Sequence, residues 1–126
     1  MDIPETLRYS EDHEWLRSED GEGVVGITAY AADELGDVVF VELPEIGRQL
    51  TKGEAFGVIE SVKTASDLFA PVAGEVIAVN DALSDDPELV NSEPYAAGWM
   101  VRLRLDDAAA AEELMDAAAY GELIGG

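Results

Sequence analysis

The sequence predicts a mainly β fold, a sandwich or flattened barrel, with one short internal helix and one C-terminal helix. Short runs rich in β-branched residues fill the first two-thirds of the chain, turn residues separate them at regular intervals, and helical patterning is confined to two places. The strand runs are Val24 to Ile27, Val38 to Leu43, Ala55 to Val62 and Val72 to Val79, with another around Trp15 and Leu16. A further strand runs from Met100 to Leu105, where Met100, Arg102 and Arg104 alternate with Val101, Leu103 and Leu105. Glu19 to Gly23, Pro44 to Gly47, Lys52 to Glu54, and Pro71 with Gly74 supply the turns. An Ala-rich stretch closed by Leu35 reads as a short helix between Thr28 and Leu35. Asp106 or Asp107 is expected to cap a C-terminal helix over about 107–119, with Leu114, Met115 and Ala118 at helical spacing.

Length and charge bound what such a fold can do. A chain of 126 residues suits one domain over 1–126, and a hydrophobic content of 48% supplies one core. The absence of cysteine excludes thiol nucleophiles, thiolate zinc sites and redox-active CxxC pairs. Seven Lys and Arg against 28 Asp and Glu give a net charge of −21, which repels nucleic acids and anionic membranes and attracts basic protein partners. No apolar run reaches membrane-spanning length, and residues Met1 to Glu5 lack the pattern of a signal peptide, so a cytoplasmic protein is expected.

Several motifs carry no chemistry. Gly21 to Gly26 formally matches GxGxxG, but an acidic stretch precedes it and a strand follows, so a hairpin turn is the reading. His13 is the single histidine and reads as a structural hydrogen-bonder. The acidic segment Asn80 to Glu88 lacks calcium-loop spacing and reads as a solvated turn. No carboxylate pair among 28 acids stands out as catalytic.

Lysine placement is more informative. Of the two lysines, Lys52 lies in the turn Thr51 to Glu54, where solubility and turn chemistry account for it. Lys63 follows the strand ending at Val62 and precedes the small, polar Thr64-Ala65-Ser66, at a projecting tip of about 61–66. Gly53-Glu54 and Gly74-Glu75 open two similar strands on either side of it. An amine at such a tip is a poor base or Schiff-base former and a good target for acylation by another enzyme.

Glu60-Ser61-Val62-Lys63-Thr64-Ala65-Ser66-Asp67 resembles the lipoyl-attachment segment of the glycine cleavage H-protein family. His13-Glu14-Trp15, Gly26-Ile27-Thr28, the run Leu35 to Pro44, Ala70 to Val76, and Asn91 to Tyr95 with Gly98-Trp99-Met100 resemble further motifs of that family. Ala29 and Ala32 depart from it, standing where an acid and a glutamine are usual. The resemblance implies a barrel-sandwich hybrid of the lipoyl-domain type, monomeric, carrying lipoate as lipoyllysine on Lys63. It implies a carrier rather than an enzyme. Its partners would be a pyridoxal-phosphate glycine decarboxylase, a folate-dependent aminomethyltransferase, dihydrolipoyl dehydrogenase and the lipoyl-attachment enzymes. It also implies that the loaded arm docks in a surface cleft, where Glu14 and Asp67, with Asp12 less firmly, face the cationic aminomethyl amine. A lipoate donor for other complexes is the main alternative. A biotin carrier is disfavoured because Val62 and Thr64, not methionines, flank the lysine, and a 2-oxoacid dehydrogenase lipoyl domain lacks the Trp15, Pro94-Tyr95 and Trp99 motifs. A carboxylate-dependent hydrolase lacks a nucleophile.

Overall fold

Two antiparallel sheets close over a common core in the computed structural model, which describes residues 3–125. The elements run β1 (Arg8–Tyr9), β2 (Glu14–Glu19), β3 (Glu22–Ile27), α1 (Ala29–Leu35), β4 (Val38–Glu42), β5 (Gln49–Leu50), β6 (Ala55–Ser61), β7 (Ala65–Phe69) and β8 (Gly74–Val79). There follow α2 (Ala82–Asp85), α3 (Leu89–Ser92), β9 (Val101–Leu105), a 3₁₀ turn (Ala108–Glu113) and α4 (Ala117–Leu123). One sheet has the order β1-β2-β3-β9-β8-β5 and the other β4-β6-β7. Leu16, Val25, Ile59, Leu68, Val76 and Leu103 bring both sheets into one apolar cluster. A smaller cluster joins Leu7, Tyr9, Trp15, Val24 and Tyr120 beneath the chain ends. None of the described helices is long and apolar enough to cross a membrane.

Local chemistry accounts for the elements that frame the site. Asp20 and Gly21, at φ 49° and 80°, make the tight turn joining β2 to β3, so the Gly-rich run is a hairpin, as its acidic approach predicts. Thr28 starts α1 by accepting the Ala31 N–H on its Oγ1 at 3.2 Å, and Gly36, at φ 82°, ends it. In β9, Val101, Leu103 and Leu105 point into the core while Arg102 and Arg104 reach Glu22 (3.2 Å) and Glu75 (3.0 Å) on neighbouring strands. The two strands opened by Gly-Glu, β6 and β8, lie in different sheets.

Two expectations need correction. The helix expected over about 107–119 is broken. Asp107 caps only the 3₁₀ turn, through Ala109 N–H at 2.9 Å, and the chain extends at Leu114 so that Met115 and Tyr9 exchange two backbone hydrogen bonds of 2.9 Å. Pairing with β1 removes two polar groups from solvent and overrides local helical preference; Asp116 then caps α4 afresh through Ala119 N–H at 2.9 Å. Nor is the acidic segment after Asn80 merely a solvated turn. Asn80 Nδ2 donates to the carbonyls of Ala97 and Trp99, both at 2.7 Å, and its Oδ1 accepts Ala82 N–H, which starts α2 and buries Leu83. The strand expected from Val72 begins at Gly74, and Ala65 and Ser66, expected in a connection, open β7.

Gly57 in β6 shows how closely β4 and β6 pack, because a Cβ there would collide with the Glu42 carbonyl oxygen on the neighbouring strand. Gly57→Ala is expected to lower unfolding stability by about 1–3 kcal/mol, because main chain rather than a movable side chain must give way. Denaturant unfolding checks this; an unchanged midpoint would show that the two strands slide apart freely.

Candidate functional site

The β6–β7 hairpin ends in a turn tied by its own serine. Ser61 N–H donates to Thr64 O at 2.8 Å, and Ser61 Oγ accepts the N–H groups of Lys63 (3.3 Å) and Thr64 (3.2 Å). From outside the hairpin, Val62 N–H donates to Asp37 O at 3.0 Å. Asn91 in α3 braces that region in turn, accepting Val38 N–H on Oδ1 and donating from Nδ2 to Gly36 O, both at 2.8 Å. The backbone of Lys63 is thus fixed on both sides while its side chain is exposed. Its Cε lies 3.6 Å from where a Cβ on Gly36 would stand, so the stem runs beside the C-terminal end of α1. Arg17, Arg48, Arg102 and Arg104 each hold a glutamate, and Arg8 donates to Leu114 O. Among the described residues neither lysine has an ion pair.

Tyr30, Ala31, Glu34 and Leu35 of α1 border a cleft of about 310 Å³. Asp12, His13 and Glu14 form a second wall, and Ser66, Asp67 and Leu68 of β7 a third, over Ile27 and Ile59. The three acids expected at the arm cleft, Glu14, Asp67 and Asp12, therefore line one surface, with Lys63 outside it at the end of the same helix. The three differ in environment. Asp12 and Asp67 are exposed. Glu14 is only 2% exposed, with Oε1 accepting from Ser10 Oγ at 2.6 Å and Oε2 from Phe69 N–H at 3.3 Å. Burial pushes its carboxyl from the ordinary 4.5 up to about 8, against the pull of those two hydrogen bonds, and the nearby Asp12 adds to the rise.

Residues 7–125 match the family model described as Glycine cleavage H-protein. The chain belongs to that family. It is 56% identical over 123 residues to the glycine cleavage system H proteins of Bacillus cereus and Bacillus anthracis, covering 98% of this chain and 97% of each relative. Its fold is similar to the crystal structure of a glycine cleavage system H protein from Mycobacterium marinum, with a TM-score of 0.89 and 41% identity over 98% of this chain and 99% of that one.

Tyr30 and Glu34 are the cleft residues that sequence reasoning missed. A signal existed, because positions 30, 31, 34 and 35 fall on one face of a helix predicted between Thr28 and Leu35. What the sequence did not contain was the identity of the strand that faces them.

Glu14 gives the cleft a distinct pH signature. Between the unfolded value near 4.5 and the folded value of about 8, the native state holds a proton that the unfolded chain releases, so stability falls as pH rises through that window. Glu14→Gln keeps the shape and removes the titration. The wild-type protein should lose stability relative to Glu14→Gln by up to about 1.4 kcal/mol per pH unit across this window. Unfolding titrations of both proteins at several pH values test it, and parallel curves would place a charged carboxylate in the cleft wall at neutral pH.

Proposed function

We propose that this chain is the lipoyl-bearing carrier of the glycine cleavage system and that Lys63 is its attachment residue. The observation that carries this reading is the exposed, unpaired Lys63 at a hairpin tip whose backbone is fastened both by Ser61 and by Asp37. Attachment of lipoate forms an amide bond to Lys63 Nζ, and the surroundings fit that requirement because the side chain is exposed and, among the described residues, no acid pairs with the amine. When bound, the group supplies a redox-active dithiolane, chemistry that a chain without cysteine lacks.

The protein's own contribution is positional. Ser61 and Asp37 fix where the arm starts, and α1, seven residues and about 10 Å long, leads from that point along the cleft. Asp12, Glu34 and Asp67 put carboxyl groups at the cleft surface, suited to a cationic amine on the cargo. A fixed origin raises the arm's effective concentration in whichever partner active site the carrier has docked on. The partners in this reading are the decarboxylase, the aminomethyltransferase, dihydrolipoyl dehydrogenase and the lipoyl-attachment enzymes. The chain itself performs no turnover. Reconstitution with the decarboxylase separates this role from that of a lipoate donor.

Lys63→Arg should fold normally and remain unlipoylated, because arginine offers no acylable amine. Lys52→Arg should behave as the wild type. Intact mass and fragment mapping of protein made with lipoate present decide the matter; lipoyl mass on Lys52, or persisting in Lys63→Arg, would overturn the assignment. The −21 charge generates a further expectation, that the apparent KM of the partner enzymes for this carrier rises with ionic strength while kcat holds. A flat KM from low to moderate salt would mean that docking rests on apolar contact.

A further inference from the structure

His13 is held more tightly than a cleft-wall residue requires. Its backbone sits at φ 67°, clamped by His13 N–H donating to Ser10 O at 3.1 Å and Thr28 N–H donating to His13 O at 3.0 Å. Its ring lies against Tyr30, with centroids 5.1 Å apart, and Nδ1 is 2.9 Å from the hydroxyl of Tyr120 in α4. Tyr120 is fully buried and stacked on Tyr9 at 4.7 Å, and its hydroxyl also meets Thr28 Oγ1 at 2.7 Å. Thr28 Oγ1 already accepts Ala31 N–H. Among the described residues, Nε2 of His13 has no partner.

Counting protons along this chain of contacts selects one arrangement. If Thr28 Oγ–H donates to Tyr120 and Tyr120 O–H donates to Nδ1, every hydroxyl proton has an acceptor and the neutral ring carries its proton on Nε2. In the reverse order, Nδ1–H donates to Tyr120 and Tyr120 O–H to Thr28. The Thr28 proton is then left buried with no acceptor among the described residues, a costly state. We propose that Tyr120 is a positioning residue that keeps His13 as the Nε2–H tautomer, so that the imidazole serves the cleft as a hydrogen-bond donor and is withheld from it as a base. The fitting partner is an acceptor oxygen of a cleft ligand, such as the carbonyl of an acylated lysine arm.

Protonation of His13 leaves Nε2 a donor but forces the reverse order, so the relay opposes it. Burial acts in the same direction and lowers the imidazole below its ordinary value, against the pull of Asp12 and Glu34. The titratable groups facing the ring or its relay are Asp12 and Glu14 beside it, Tyr30 and Glu34 on α1, Asp67 on β7, Tyr120 on α4, Tyr9 beneath Tyr120 and Tyr95 near Tyr120. A carrier whose cargo carries an acidic ammonium benefits from a wall without a free imidazole lone pair.

The inference concerns the cleft of the proposed carrier, and its test is run on protein without lipoate, so either can fail alone. With one histidine in the chain, long-range ¹H–¹⁵N spectra give one pair of ring nitrogens. Above the titration midpoint the wild type should show a single tautomer, protonated on Nε2 and bare on Nδ1. Tyr120→Phe, which keeps the stacked ring, should show mixed tautomers and a midpoint raised by roughly half a unit to one unit. Thr28→Val interrupts the relay at its other end and should also mix the tautomers, whereas Thr28→Ser should restore the wild-type spectrum. A wild-type ring that is mixed or protonated on Nδ1, or variants that leave tautomer and midpoint unchanged, would overturn the proposal.

Discussion

Val62 N–H donates to Asp37 O across 3.0 Å, and this bond fastens the β6–β7 hairpin to the loop between α1 and β4. It extends the β4–β6 pairing, which ends at Val38 and Ser61, one residue further toward the tip. A lysine side chain retains most of its rotamer entropy in water, so a carrier can keep its reach flexible while its origin stays fixed. The receiving loop is fixed by a side chain distant in sequence. Asn91 closes the gap between Gly36 O and Val38 N–H, two backbone groups that helix termination and a β-bulge leave unpaired. Every buried side-chain nitrogen and oxygen among the described residues has a partner, and Asn91 shows how such satisfaction positions a functional group two contacts away.

The parts of the fold legible in the sequence are those that local chemistry decides. Asp20-Gly21 dictates a tight turn, Thr28 and Gly36 bracket α1, and the Val101, Leu103, Leu105 alternation places β9 with one face inward. The illegible parts depend on partners far along the chain. Met115 leaves helical geometry because Tyr9, more than a hundred residues earlier, offers a β-bridge, and no periodicity within 107–119 encodes that. Asn80 turns an acidic stretch into a helix start by reaching Ala97 and Trp99. β1 and β5, two residues each, are too short to leave a pattern.

The site was legible in a similarly divided way. Residue type and turn context singled out Lys63, and family resemblance supplied Glu14, Asp67 and Asp12; the fold brings those three acids to one cleft and leaves Lys63 outside it. Chemical state was not legible. Two acids in motifs of equal apparent weight have opposite environments, Asp67 in water and Glu14 behind Ser10 and Phe69. Burial pushes the Glu14 carboxyl well above its ordinary range, whereas Asp12, Glu34 and Asp67 stand exposed at the cleft surface.

Charge pairing does not distinguish the two lysines, although the proposed attachment requires an enzyme to choose between them. All five arginines are engaged within the fold, four with glutamates and Arg8 with a carbonyl, so neither lysine is singled out by being the free cation. Local architecture separates them. Lys52 borders a pocket shared with Glu11, Asp12 and Glu113, in a turn whose Glu54 is already bonded to Thr51 and Arg48. Lys63 stands at the end of a regular hairpin beside Val62, which is 70% exposed. An apolar neighbour and a strand-like approach give an enzyme surface something to bury at Lys63, whereas closing on Lys52 would strip water from carboxyl groups without replacing their hydrogen bonds. On the proposed reading, selectivity comes from what surrounds each amine at the surface, and the strongly acidic character of the chain sharpens it by making uncharged surface scarce.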